Sequence, residues 1–298
     1  METWKEELKE LLKEKPYVET FFYTIKDVKV KLLDYTANPY KAMFEMATQT
    51  WGYPGKWERA SPRLRFEVVK MILERKALPL ALEAPKFSFQ INNTSRASFD
   101  QISRARIGVT FAARGFKDNL LNNEGFIVPP VSSEDEKLIK RTVLDLKDIY
   151  VYLRKKYPGW IARSILPMNM RYNYIISITY LSLQELCSKR MCCIEQPDTV
   201  IVAWLLRERV KEKFPLLADY LKPAEIWRNK CVVEDWNGFS EIIGVPHAPC
   251  EIGGVEVKSE WDFPCTDVKK LLEELNIKVE WKNYTWEDLE NVDRKYFE

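Results

Sequence analysis

Residues 87–121 read FSFQINNTSRASFDQISRARIGVTFAARGFKDNLL. Phe87, Phe89 and Ile91 alternate with polar neighbours, which predicts a strand with one buried face. Asn92-Asn93 interrupts the alternation, and the chain passes into a helix-like segment carrying Arg96, Gln101, Arg104 and Arg106. Each arginine is a planar, permanently charged fork that matches phosphate or carboxylate. Their density predicts an anion-recognition element fed by a strand. Structural ion pairs are the competing reading of the same arginines.

Composition confines that anion to a local pocket. The chain of 298 residues is long enough for one large domain or two smaller ones, and its 46% apolar and 30% charged residues describe a globular protein. A formal net charge of +2 provides no field to attract bulk nucleic acid or an anionic membrane. No apolar run approaches the roughly 18 residues that span a bilayer. The opening METWKEELKE is too acidic and polar for a secretory leader, so a cytoplasmic protein is expected. There is neither a G-x-G-x-x-G after a strand nor a G-x-x-x-x-G-K-[ST], so a bound phosphate must be held by side chains. With His247 as the single histidine, catalytic sets built on an earlier histidine and multi-histidine metal sites are excluded.

The flanking chain reads as alternating helices and strands. Trp4, Leu8, Leu11 and Leu12 share one face of an amphipathic helix that Pro16 ends. Val28–Tyr35 predicts a strand, Tyr40–Thr50 and Leu64–Glu74 predict helices, and Glu83 is a lone carboxylate just before the organising strand. Ser132 followed by Glu134, Asp135 and Glu136 predicts the start of a helix that runs to about Lys156. An apolar helix is expected from about residue 168 until Glu185, Lys189 and Arg190, and another over Thr199–Glu212 with Pro197 in its first turn. Beyond Pro223 the character shifts to a tail with Trp227, Trp236, Trp261, Trp281 and Trp286, ending in a helix over Asp267–Leu275. Tryptophans of this kind, in a chain so nearly neutral, favour a core or interface over a platform for stacking bases. Cys187, Cys192, Cys193, Cys250 and Cys265 do not form paired zinc knuckles with His247, so buried thiols and no metal are expected.

Four short motifs resemble the flavin-dependent thymidylate synthases, the ThyX family. VKVKLLDYTANPYKAM at 28–43 resembles that family's opening strand and turn, and FSFQI followed by SRASFDQISRARI resembles its nucleotide-binding stretch. ARSILP at 162–167 and Arg190 followed six positions later by Gln196 resemble its C-terminal half. Order and spacing agree over residues 28–215. The resemblance implies an α/β (α+β) fold, a mixed sheet flanked by helices, over a nucleotide-binding domain (28–222); an N-terminal helical extension (1–27) and an appended C-terminal module (223–298) have no counterpart in it. It implies a homotetramer with shared active sites, using FAD, NADPH and methylenetetrahydrofolate to methylate C5 of dUMP.

The family signature is Arg-His-Arg, seven residues, then Ser. Here it reads Arg104-Ala105-Arg106, residues 107–113, then Arg114, and no serine occurs from Arg104 to Val131. By resemblance, Gln101, Arg104, Arg163 and Arg190 contact the nucleotide, with Arg190 also stabilising charge on the pyrimidine as C5 becomes nucleophilic. Arg114, in place of the serine, either contacts substrate or fills the emptied position. The flavin set retains Glu83, Arg104 and Arg106, while Leu78, Leu80, Ala105, Thr179, Leu181 and Ile194 stand where the family has polar ligands. Preserved phosphate arginines beside altered flavin positions leave two readings: one-carbon transfer to C5 of a pyrimidine deoxynucleotide, as a methyl or hydroxymethyl group, or a nucleotide-binding protein that has lost flavin chemistry.

Overall fold

The computed structural model describes residues 20–113, 125–192, 195–228, 268–289 and 291–298. The helix expected at 4–12, Arg114, Cys193, Ile194, Trp236, His247, Cys250, Trp261 and Cys265 lie outside the described residues.

Pairing of two central strands sets the layout. Strand β1 (Phe21–Thr24) pairs in parallel with β5 (Gly125–Val128), as a small separate ribbon. The main sheet is antiparallel, in the order β2 (Lys29–Tyr35), β3 (Lys86–Ser95), β6 (Arg171–Thr179), β4 (Val109–Ala113). Phe87 lies opposite Ile178, Phe89 opposite Ile176 and Ile91 opposite Tyr174, and all six are buried. Each such side chain contributes about 1.5–3 kcal/mol when withdrawn from water.

The β6 strand corrects the helix expected across residues 168–190. Tyr172, Tyr174, Ile176 and Ile178 are buried while Ile175 is exposed, a period of two that suits β-branched and aromatic residues on a pleat. Only at Thr179 does the chain turn helical, because the Thr179 hydroxyl accepts from Ser182 N and caps the next helix.

The same device ends β3. At Asn92-Asn93 the pairing with β6 shifts register, and Asn93 takes a left-handed φ of 61°. Its amide N–H donates to Asn173 Oδ1 at 2.9 Å and its side chain to Asp27 O at 2.9 Å. After the bulge Thr94 and Ser95 turn inward, and Ser95 Oγ accepts from Ser98 N to cap α3 (Arg96–Ile102). This helix is shorter than the sequence suggests. It stops at Ile102, so Arg104 and Arg106 sit on the turn that follows.

Helices cover the sheet. In chain order they include α1 (Pro39–Thr50), α2 (Pro62–Leu73), α3, α4 (Ser133–Lys156), α5 (Gly159–Ala162), α6 (Tyr180–Arg190), α7 (Pro197–Lys211), α8 (Pro215–Ala218), α9 (Ala224–Arg228), α10 (Val268–Glu274) and α11 (Asn291–Arg294). Helix α7 lies against β2 and β3, and every residue from Asp198 to Trp204 is buried. A helix apolar around most of its circumference belongs at the centre of a core. No helix among the described residues is long and apolar enough to cross a membrane.

The described part of the tail joins this core. Leu271, Leu272, Tyr284, Leu289 and Phe297 are buried within it, and Phe297 stacks on Tyr40 with ring centroids 4.6 Å apart. Asp293, fully buried, accepts from the Tyr40 hydroxyl and from Leu216 N at 2.7 Å. Arg207 is also fully buried, 4.7 Å from the Trp281 ring and ion-paired with Glu208 at 2.6 Å and Asp219 at 3.6 Å. Asp219 in turn accepts from Lys282 N at 2.7 Å, and burial pushes its carboxyl above the usual range despite that bond and the neighbouring cations.

Asp293→Ala strands the Tyr40 hydroxyl and the Leu216 N–H in a dry interior, at about 1–3 kcal/mol for each group. Urea unfolding should show a lower midpoint in a single transition, with tail and sheet lost together. A separate early transition of the tail would contradict the shared core.

Candidate functional site

Residues 101–108 are laid along α6 and held at both ends. At the far end Arg190 Nη2 donates to Gln101 O at 3.0 Å. At the near end the Ser182 hydroxyl donates to Ile107 O at 2.6 Å, and Thr179 N donates to Gly108 O at 2.9 Å. The Thr179 hydroxyl completes the set, 3.0 Å from Ser182 Oγ. Gly108 sits at φ 64°, where an added Cβ would meet Thr179 Oγ1 at 2.6 Å and Ser182 Oγ at 2.7 Å. The Arg104-Ala105-Arg106 turn therefore depends on a glycine at this position.

Between this segment and α6 lies a cleft of about 530 Å³. Glu83 reaches it from the 3-10 turn Pro79–Glu83, and Gln101, Arg104 and Arg106 from the pinned segment. Helix α6 contributes Ser182, Glu185, Lys189 and Arg190. Ile102, Ala105, Ile107, Leu181 and Leu186 supply an apolar lining.

The cleft's charges divide into spent and unspent. Arg190 is ion-paired with Glu195, with both side chains largely buried at 16% and 14% exposure. Glu185 is held by Arg75 at 2.7 Å. Gln101 is oriented by two side chains: its Nε2 donates to Gln196 Oε1 at 3.2 Å and its Oε1 accepts from the Thr199 hydroxyl at 2.9 Å, which leaves one N–H free to meet a ligand. Gln196 also donates to Ser95 Oγ at 3.1 Å and to Asp198 Oδ1 at 2.6 Å, which carries the network to the cap of α3. Among the described residues, Arg104, Arg106 and Lys189 have no ion-pair partner, and they face one unpaired carboxylate, Glu83. The open set is thus cationic beside an apolar wall. That combination suits a flat, mostly apolar ligand carrying at least one anionic group.

The structure brings Glu83, Gln101, Arg104, Arg106 and Arg190 to one cleft. Arg163 is elsewhere: it is exposed on the 3-10 turn Arg163–Ile165 beside α5, whose Ala162 belongs to a second small core with Phe126, Val143, Tyr150 and Met170. Thr179 does not line the cleft; it serves as helix cap and pin. Sequence reasoning missed Ser182, Glu185, Lys189 and Glu195. A signal for the first three existed, since positions 182, 185 and 189 share a helical face once residues 180–190 are a helix. None existed for Glu195, whose role comes from the fold of the α6–α7 connection.

Among the described residues, neither Cys187 nor Cys192 lines the cleft. Cys187 and Cys192 are buried and unpaired with each other, and burial pushes the Cys187 thiol well above its ordinary range. Among the described residues no group of three or more His, Cys, Asp or Glu side chains could hold a metal ion.

Gly108→Ala should lower stability by about 1–3 kcal/mol through strain at a left-handed position. It should also displace the arginine turn, read as a lower melting temperature with weakened anion binding. Because its thiol is protonated and enclosed at neutral pH, Cys187 should resist alkylation in the native protein and react fully in denaturant, as followed by mass spectrometry. Rapid native labelling would contradict the burial.

Comparison with known proteins agrees with this geometry. The family model described as "Thymidylate synthase complementing protein" matches residues 31–216. A flavin-dependent thymidylate synthase of Saccharolobus solfataricus is 25% identical over 202 residues, covering 66% of this chain and 77% of the relative. Among solved structures, a UMP/dUMP methylase, PolB, from Streptomyces cacaoi with 5-Br dUMP superposes with a TM-score of 0.56 at 14% identity, over 67% of this chain and 96% of that one. Thymidylate synthase X from Helicobacter pylori, with FAD and dUMP, gives 0.51 at 20% identity, over 65% and 99%. At these identities the solved structures speak for the fold. The family match covers more than half of the sequence, with Glu83, Gln101, Arg104, Arg106, Arg163 and Arg190 inside it, and the chain belongs to the thymidylate synthase complementing protein family, the flavin-dependent thymidylate synthases.

Proposed function

We propose that the cleft binds a pyrimidine nucleoside 5′-monophosphate, dUMP or a close relative, and that the protein transfers a one-carbon unit to C5 of its base. The carrying observation is the unpaired Arg104 and Arg106 beside the apolar wall of Ala105, Leu181 and Leu186. Charge-assisted bonds from such forks contribute roughly 1.5–3 kcal/mol each to holding an anion. Gln101 and Arg104 would hold the nucleotide from one chain. Arg163, exposed and off its own chain's cleft, would serve a neighbouring copy in a homotetramer with shared sites. Arg114, outside the described residues, would contact the substrate in place of the family's serine.

The chemistry asks for charge stabilisation more than for a nucleophile. As C5 of the pyrimidine becomes nucleophilic, negative charge gathers on the ring carbonyl before the electron pair passes into the bond to the one-carbon carrier. A fixed guanidinium at that position lowers the barrier, and we assign this role to Arg190. The donor would be methylenetetrahydrofolate, and the cellular setting the cytoplasm.

The residues present fit a flavin, with fewer polar partners than the family usually offers. Arg104 and Arg106 would meet its phosphates, Glu83 would meet a polar edge, and the apolar wall would carry its ring. When bound and reduced by NADPH, the flavin supplies the hydride that completes a methyl group. A second reading, nucleotide binding without flavin chemistry, draws on Ala105 and Leu181 in the wall and on the commitment of the Thr179 hydroxyl to the pin. Transfer of a hydroxymethyl group, which needs no final hydride, would also suit that loss.

Two measurements decide among these. The purified or FAD-reconstituted protein should show flavin absorption in the visible; a colourless protein that cannot be reconstituted would leave the second reading. Calorimetry should show dUMP binding that Arg104→Ala weakens about 10–100-fold, the equivalent of one lost charge-assisted contact. Undiminished binding in that variant would remove Arg104 from the site.

A further inference from the structure

Away from the cleft, the seam between α7 and the tail gathers buried donors that find no acceptor among the described residues. Trp204 and Arg207, three residues apart on α7, share a helical face and are both fully buried. Trp281 of the tail closes on them. Its ring lies 4.7 Å from the Arg207 guanidinium carbon and 6.1 Å from the Trp204 ring. These three side chains leave four buried nitrogens without a hydrogen-bond partner: Nε and Nη2 of Arg207 and Nε1 of each tryptophan. Lys222 adds a half-buried ammonium 5.3 Å from the Trp281 ring, with no ion-pair partner among the described residues. A buried donor left unmet loses its hydration and gains nothing in return.

The two carboxylates at hand do not meet these donors. Glu208 is committed to Arg207 Nη1 at 2.6 Å. Asp219 Oδ1 stays 3.6 Å from Nη2, inside ion-pair range but beyond a hydrogen bond, while its Oδ2 accepts from Lys282 N at 2.7 Å. Burial also pushes the Asp219 carboxyl above its usual range, which weakens it as a counterion. The unmet groups have a common chemistry. Nε and Nη2 lie on one edge of the guanidinium, where two N–H bonds run parallel and can take both oxygens of an oxyanion at once. An indole N–H donates and cannot accept, and so does an ammonium. A water molecule would bring two more hydrogens into a place already crowded with donors, whereas an oxyanion brings acceptors alone.

We propose that Arg207, Trp204, Trp281 and Lys222 form a second ligand site, for a compact oxyanion: a carboxylate or a phosphate group. The site is independent of the nucleotide reading and uses none of the cleft residues. Arg207 supplies the fork, the indoles supply neutral donors, and Lys222 supplies charge near the rings. Half of the site belongs to α7 and half to the tail, so the anion joins the two. An anion that binds only while Trp281 is seated against Arg207 stabilises the seated tail by mass action.

The test reads the indole N–H signals of the full chain by proton–nitrogen NMR. The chain carries ten tryptophans, and Trp204→Phe and Trp281→Phe identify the two signals that matter. Formate, inorganic phosphate and chloride are titrated separately at constant ionic strength. With formate or phosphate the two signals should shift together and saturate below about 100 mM, and the melting temperature should rise over the same range. Lys222→Gln should weaken that binding about tenfold, the loss of one charged contact. Trp281→Phe should weaken it as well, read at the Trp204 signal. Arg104→Ala, in the nucleotide cleft, should leave the shifts unchanged, which separates this site from phosphate binding there. A response to one oxyanion alone identifies the class as carboxylate or phosphate. The proposal is overturned if neither oxyanion gives a saturable shift, if chloride acts equally, if Arg104→Ala abolishes the response, or if Lys222→Gln binds as the wild type does. Lys222 is half-buried and outside any helix, so its variant decides even where a tryptophan variant fails to fold.

Discussion

The attachment of residues 101–108 to α6 is the constraint on which the site depends. Two hydrogen bonds at the helix start, from Ser182 to Ile107 O and from Thr179 to Gly108 O, hold one end. The Arg190 fork holds the other at Gln101 O. Neutral bonds of this kind contribute about 1 kcal/mol net and the charged one somewhat more, so the segment is held by several modest contacts. What gives them effect is geometry. The strand pairing that brings Val109 opposite Ile178 also brings Gly108 against the Thr179 cap, so the sheet and the helix start place the same turn.

This arrangement explains why the site tolerates an unusual signature. The turn between the two signature arginines is positioned by backbone groups, Ile107 O and Gly108 O, which any residue at position 105 can offer alongside. Ala105 therefore removes a polar side chain from the cleft without removing the scaffold that presents Arg104 and Arg106. The same economy applies to charge. Glu195 and Arg75 absorb Arg190 and Glu185 respectively, and the cations left over are those that line an apolar wall.

The tail contributes at a distance. Asp293 joins α1 to α8 through Tyr40 and Leu216, and Asp219 joins the backbone at Lys282 to Arg207 of α7. Helix α7 carries Thr199, which orients Gln101, and its Asp198 accepts from Ser95 N at 2.9 Å. The described part of the tail thus packs on the far end of the helix whose start orients Gln101 at the cleft. Buried carboxylates of this sort are costly to expose or orphan, which ties the tail to the integrity of the core.

Much of this was legible in the sequence because it is local. Alternation marked β2 and β3, a serine marked the start of α4 and a proline that of α7, and the clustering of Gln101, Arg104 and Arg106 marked residues that line one cleft. Residues 171–179 were misread because a run of tyrosines and isoleucines satisfies either a buried helix or a buried strand; only pairing with β3 on one side and β4 on the other selects the strand. The end of α3 at Ile102 was equally invisible, since the Ser182 hydroxyl and the Thr179 cap that hold the following turn come from about 75 residues downstream. The sequence by itself determined which charges the protein carries and roughly where. The tertiary structure alone decided which of them remain unpaired, because pairing is settled by distance between Arg190 and Glu195, and between Arg75 and Glu185, and no residue type encodes a distance.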